Sequence, residues 1–219
     1  MRELAATHFF AGHVDQPALL IGNCPSANQI LPYLDEIKHK FITIGMNRSW
    51  KLFHATYHAI MFHHEHLSDL AKRKYTVKTL WTYKTYAEKF TQDVHEGNVV
   101  YVTSVADPNN PIHEYNLAGL ISLDLSDCSY ADMTGMFALE IALWMRCKPI
   151  CLIGYDMYGG HFCDLARPED DWQEVQAELF DMTAKQIEQE AKWAKVYNCS
   201  LESNITGFEK IALEEAIGA

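Results

Sequence analysis

No run of apolar residues in this chain approaches the length of a membrane span. The opening stretch, Met1 to Asp15, has no apolar segment of the kind that leads a secreted chain. The six cysteines do not fall in a zinc pattern: Cys147 and Cys151 flank a Lys-Pro-Ile stretch that reads as strand entry, and no second pair stands at ligand spacing. A reduced cytoplasmic protein is the expectation, which leaves the sequons at Asn47, Asn198 and Asn204 without meaning. Positive charge is scarce, 18 Lys and Arg against 29 Asp and Glu, a net charge of −11. Nucleic acid is therefore not an expected partner, because phosphate binding rests on Lys and Arg. A Walker P-loop, a Gly-x-Gly-x-x-Gly turn and a Gly-x-Ser-x-Gly elbow are all missing. P-loop kinases, dinucleotide oxidoreductases and α/β-hydrolases are disfavoured accordingly.

What the chain does have is a repeating alternation. With 219 residues and 48% hydrophobic composition it can build one domain with a full core. Short apolar runs at Ala18–Gly22, Phe41–Gly45, His58–Phe62, Val77–Trp81, Val99–Thr103, Pro149–Ile153 and Tyr197–Leu201 read as strands. Helical patterns cover Ala27–His39 with Ser26 as N-cap, Glu65–Lys74, Thr134–Met145, Asp171–Val196 and Gly207–Ile217. Such βαβ alternation predicts an α/β, Rossmann-like fold: a mostly parallel sheet with helices on both faces. We read residues 1–219 as a single nucleotide-binding domain, with the irregular stretch 82–132 as a candidate lid or insertion.

The informative positions follow strand ends. Gly22-Asn23-Cys24-Pro25-Ser26 follows the first strand and Asn47-Arg48-Ser49 the second. Asp132-Met133-Thr134-Gly135 opens the most apolar helix, and Gly154-Tyr155-Asp156-Met157-Tyr158-Gly159-Gly160-His161 follows a buried strand. In a parallel sheet these ends share one rim, where ligands bind. Helix N-termini on that rim favour anions, which points to a nucleotide or another phosphorylated ligand. Each residue also has a purely structural reading: Gly22 and Pro25 as turn formers, Asn23 and Asn47 as loop caps, Thr134 as a helix cap, Asp156 as a cap or an Arg partner, Tyr158 as a packing residue. His161 sits in a loop too polar for a core histidine, and imidazole suits proton transfer near neutral pH. The histidines His54, His58, His63, His64 and His66 span a strand and a helix start rather than one face, so no metal site is assigned.

On these residues the chain resembles the bacterial lipooligosaccharide sialyltransferases. Those enzymes carry Gly-Asn-Gly-Pro-Ser after their first strand, and the loop here is Gly22–Ser26 with Cys24 in place of the second glycine. Asn47 takes the place of the family's donor-binding Asn, Thr134-Gly135 that of its Ser/Thr-Gly helix start, and Gly154-Tyr155-Asp156-Met157-Tyr158 that of Gly-x-Asp-Phe-Tyr. The loop is also similar to that of the 6-hydroxymethylpterin pyrophosphokinase-like family, which has a Gly-x-Asp loop followed by a His.

The first resemblance implies a nucleotide-sugar-dependent glycosyltransferase, with a CMP-sugar favoured and no other cofactor required. Gly22, Asn23, Pro25, Ser26, Asn47, Thr134, Gly135, Gly154 and Asp156 would surround the donor. Tyr158 would donate to the departing phosphate, and His161 would take the proton from a saccharide or other hydroxyl acceptor. His161 lies closer to the Gly-x-Asp loop than the family's general base does. The second resemblance implies a Mg-dependent phosphotransferase with Asp156 on the metal. A catalytically silent nucleotide-binding module is the third reading.

Overall fold

The computed structural model describes residues 2–4, 6–60, 79–83, 98–102, 133–162 and 171–218. Its strands are β1 (Arg2–Leu4), β2 (Ala18–Ile21), β3 (Ile42–Met46), β4 (Tyr57–Ala59), β5 (Thr79–Tyr83), β6 (Asn98–Val102), β7 (Ile150–Ile153), β8 (Val196–Asn198) and β9 (Glu209–Lys210). They form one sheet in the order β1-β6-β5-β4-β3-β2-β7-β8-β9. Every pairing among them is parallel. The expected α/β, Rossmann-like sheet is what the chain forms.

Strand β2 shows why the sheet needs cover on both faces. All four of its residues are buried. Ala18 and Leu20 enter a core with Ile44, Leu152, Phe137 and Phe180. Leu19 and Ile21 enter a second core with Ala27, Ile30, Ile37, Ile153 and Leu213. Alternate side chains of a strand leave opposite faces, so the two cores lie on opposite sides of one sheet. The first is closed by α2 (Thr134–Trp144) and α3 (Asp171–Glu190); the second by a 3-10 segment (Pro25–Tyr33), α1 (Leu34–Lys40) and α4 (Leu213–Gly218). In α2 every residue except Gly135 is buried, as expected of a helix that is apolar all round. No described helix is long and apolar enough to cross a membrane.

Several boundaries differ from expectation. The stretch predicted as one helix from Ala27 to His39 is 3-10 up to Tyr33 and α-helical only from Leu34. Pro32 lies inside it, and a proline has no N–H for the α-helical bond and crowds the carbonyl one turn back. Ser26 falls within the first 3-10 turn; the cap position is Cys24. Helix α3 stops at Glu190, short of the expected Val196, because Val196 is taken into β8. Strand β6 and the end of β5 fall within 82–132; the rest of that stretch, including Asp132, lies outside the described residues. So do Glu65–Lys74, His63, His64 and His66. No group of His, Cys, Asp and Glu that could hold a metal occurs among the described residues.

Candidate functional site

Strand β2 pairs with β3 on one side and β7 on the other, with Leu20 opposite both Ile44 and Leu152. The chain goes from β2 to β3 on one side and later returns as β7 on the other. In open parallel sheets such a reversal is the usual ligand position, beyond the carboxyl ends of the strands. At this point two glycines meet. The Gly22 N–H donates to Ile153 O at 2.8 Å and the Cys24 N–H to Gly154 O at 3.1 Å. A Cβ on Gly22 would stand 2.2 Å from Gly154 O. Gly154 itself has φ +76°, a conformation that L side chains resist. Gly22 and Gly154 thus let two loops leave adjacent strands in contact.

Above the glycines lies a buried polar chain. The Ser26 N–H donates to Asp156 Oδ2 at 2.9 Å, and the Ser26 hydroxyl donates to Asp156 Oδ1 in a short contact. The Gly154 N–H donates to Ser26 Oγ at 3.0 Å, and the Tyr155 N–H donates to Ser200 Oγ at 3.1 Å. The two serine hydroxyls are 2.7 Å apart. A carboxylate only accepts, so the Ser26 proton points to Asp156 and the Ser200 proton to Ser26. Asp156 is 1% exposed. Ser26 and Asp156, both singled out in the sequence, therefore join the ends of β2 and β7 to each other, and Ser200 after β8 brings in a third strand end.

Tyr155 ties in the other two segments. Its hydroxyl donates to Gly135 O (3.2 Å) at the start of α2 and approaches Met46 Sδ (3.4 Å) at the end of β3. Burial pushes this phenol well above the usual range, so it remains a donor. Gly135 makes room for it: a Cβ there would lie 3.0 Å from Tyr155 Cε1 and 3.2 Å from Phe180 Cζ. Asn47, at φ +45° just after β3, has its Oδ1 3.3 Å from the Thr134 hydroxyl. Thr134 is the first residue of α2, and the cap position is Met133.

Behind Asn47 stands His58, which is fully buried. It faces Gly45 across the β3–β4 register, where a Cβ would come within 2.9 Å of the ring. His58 Nε2 donates to Asn47 O at 2.9 Å. Burial lowers its pKa from 6.5 to about 4, and the hydrogen bond only partly opposes this. The unfolded chain therefore binds a proton between pH 6.5 and about 4 that the fold does not. Stability from this source is complete above pH 6.5 and drains away as pH falls to about 4. At about 1.4 kcal/mol per pH unit the loss is about 3 kcal/mol. Urea melts across that window should show the slope, and His58→Gln should flatten it. An equal slope in both proteins would rule His58 out as its source.

The loop after β7 carries Tyr158 and His161, both half-buried. It folds back onto the first loop, the Phe162 N–H donating to Asn23 O at 2.7 Å. Burial raises the Tyr158 pKa, and negative charge at Asp156, Glu202 and Cys24 adds to the shift; the phenol stays protonated at neutral pH. Asn23 Oδ1, between these loops, is buried and accepts no hydrogen bond. A buried acceptor without a donor is costly, about 1–3 kcal/mol.

The strand-end segments thus meet in two joined groups. Asn47 and Thr134 touch each other, Asn23 lies against the loop of Tyr158 and His161, and Tyr155 links the two. Pro25 begins the 3-10 segment. The sequence reading missed Ser200, Ser203 and Asn204, which hold the β7 loop from the side of β8. Their signal was available: they are polar residues at the end of another predicted strand of the same sheet.

No protein-family model matches this chain, and no curated protein does. Among solved structures it is similar to the MAf glycosyltransferase from Magnetospirillum magneticum AMB-1. The match covers 91% of this chain and 34% of that one, with a TM-score of 0.66 at 12% identity. This chain therefore spans only a third of the length of that protein, and the likeness is one of fold.

Proposed function

We propose that this domain binds a nucleotide-sugar and transfers the sugar to an acceptor hydroxyl, with a CMP-sugar as the donor. The observation that carries the reading is Asn23 Oδ1, a buried acceptor left without a donor at the switch point of the sheet. A ligand hydroxyl or amine placed there would supply the missing hydrogen bond. The resemblance to sialyltransferases in the same loop supports the choice of donor. The glycosyltransferase that shares this fold supports the reaction class.

In this reading the first loop and Asn47 hold the nucleotide, and Thr134 contacts its sugar or phosphate. Tyr158, kept protonated by burial and by neighbouring negative charge, donates to the phosphate as the glycosidic bond breaks. Charge develops there in the transition state, and a fixed donor aimed at it lowers the barrier. His161 accepts the proton of the attacking hydroxyl. Both Asp156 oxygens already accept from Ser26, which makes Asp156 a poor metal ligand and argues against the phosphotransferase reading. Turnover that survives EDTA would support transfer without a divalent ion; its loss would return the phosphotransferase.

A thermal-shift series with CMP, UDP, GDP and ATP tests the donor class, since a ligand that binds the folded state raises its melting temperature. A response to CMP alone is expected. The Asn23→Ala variant should be at least as stable as the parent, because it removes a buried acceptor that the fold leaves unsatisfied, yet bind CMP about tenfold or more weakly. Equal CMP affinity in both proteins would remove Asn23 from the site and the proposal's main support with it.

A further inference from the structure

The loop after β7 turns three times through left-handed conformations: Gly154 at φ +76°, Met157 at +55° and Gly159 at +64°. For Met157 this is unfavourable by about 1–2 kcal/mol and needs outside contacts to persist. The β8–β9 connection supplies those contacts. Three consecutive carbonyls of the loop are taken by two residues of the β8–β9 connection. Ser203 Oγ donates to Tyr155 O at 2.6 Å. The Asn204 N–H donates to Asp156 O at 2.9 Å. Asn204 Nδ2 donates to Met157 O at 2.9 Å. From α3, Gln173 Nε2 donates to Gly159 O at 2.7 Å.

The holding segment is itself fixed. Ser203 Oγ accepts from the Ile205 N–H at 3.1 Å, and Lys210 Nζ donates to Ser203 O at 2.7 Å. Asp181 of α3 accepts from the N–H groups of Thr206 and Gly207 at 2.7 and 2.6 Å and from the Thr206 hydroxyl at 2.6 Å. Gly207 packs so closely on α3 that a Cβ would lie 2.8 Å from Ala184 Cβ. A short segment pinned on α3 and on β9 thus grips the turn that precedes Tyr158 and His161.

We infer that Ser203 and Asn204 are positioning residues: their grip on the carbonyls of Tyr155, Asp156 and Met157 sets the conformation of the loop that presents Tyr158 and His161. The catalytic half of this statement rests on the transferase reading above; the conformational half does not. Asn204 is exposed, and exposed substitutions rarely change stability by more than about 0.5 kcal/mol. Losing its side-chain donor should leave the melt nearly unchanged and act locally instead.

The test compares the full-length parent with Asn204→Asp, which keeps the shape but has no donor for Met157 O, and with Ser203→Ala and Ser203→Thr. Amide exchange at Phe162 is the first readout, because its N–H bonds to Asn23 O only while the loop is seated. We expect faster Phe162 exchange in Asn204→Asp and Ser203→Ala, with Ser203→Thr restored toward the parent. The second readout is CMP-sugar turnover and CMP affinity. A kcat lowered about tenfold to a hundredfold, with CMP affinity kept within about twofold, is the pattern of a mispositioned reacting group. Unchanged Phe162 exchange in Asn204→Asp and Ser203→Ala overturns the proposal, and so does faster exchange with unchanged kcat. A parent that turns over no CMP-sugar sinks the transferase reading instead, and the exchange comparison still decides whether Ser203 and Asn204 hold the loop.

Discussion

The Gly22→Ala variant is expected to be the most destabilised single-residue variant of this site, by about 3 kcal/mol or more. The added methyl group would lie 2.2 Å from Gly154 O, 2.8 Å from Gly154 C and 3.3 Å from Tyr155 Cδ2. The first two are backbone atoms at the end of a paired strand, so no rotamer change relieves the overlap. To make room, the end of β2 must part from the end of β7. That separation pulls on the hydrogen bonds of Gly22 to Ile153 and of Cys24 to Gly154, and then on the Ser26–Asp156 pair directly above. For a chain of this size each kcal/mol lowers the melting temperature by about 2–4 °C, so a fall of about 6–12 °C should be measured. The Gly159→Ala variant is the control. Gly159 has φ +64° but nothing within 4 Å of the added Cβ, and it should lose only about 1 kcal/mol. If the two variants melt together, the close approach of the loops is not what Gly22 provides.

The same pair of glycines shows what the sequence can convey and what it cannot. Gly22 and Gly154 stand out at once, as the ends of apolar runs. Their shared reason, that each loop needs the other's side chain absent, depends on β2 and β7 being neighbours. They are 132 positions apart in the chain, and one sequence carries no record of that. Strands β2 and β7 were legible because burial on both faces makes a parallel strand uniformly apolar. Strands β1 and β9 were not: Arg2–Leu4 and Glu209–Lys210 are short, polar sheet edges. Ser26 and Asp156 both follow strand ends, and in the fold the Ser26 N–H and hydroxyl go to the Asp156 carboxylate while Ser26 Oγ accepts from the Gly154 N–H. Asn23, beside them, keeps an unused acceptor. Short-range sequence context does not distinguish these cases. The partner decides it, and the partner comes from a different part of the fold.

His161→Ala is expected to abolish sugar transfer while leaving nucleotide binding intact. Under the transferase reading the attacking hydroxyl must lose its proton as the new bond forms, and a positioned base contributes about 10²–10⁴-fold to that step. The imidazole is the group on this loop that can accept a proton near neutral pH. Tyr158 cannot, because burial and the carboxylates of Asp156 and Glu202 hold its phenol protonated. Asp156 is buried and committed to Ser26. Truncating His161 leaves the backbone contact beside it, Phe162 N–H to Asn23 O, so the loop should stay seated and CMP affinity should hold. The expected measurement is a kcat lower by about 10² or more with CMP affinity kept within about twofold. Unchanged turnover in His161→Ala would take the residue out of the mechanism. A parallel loss of CMP affinity would make it a binding residue for the donor instead of a base for the acceptor.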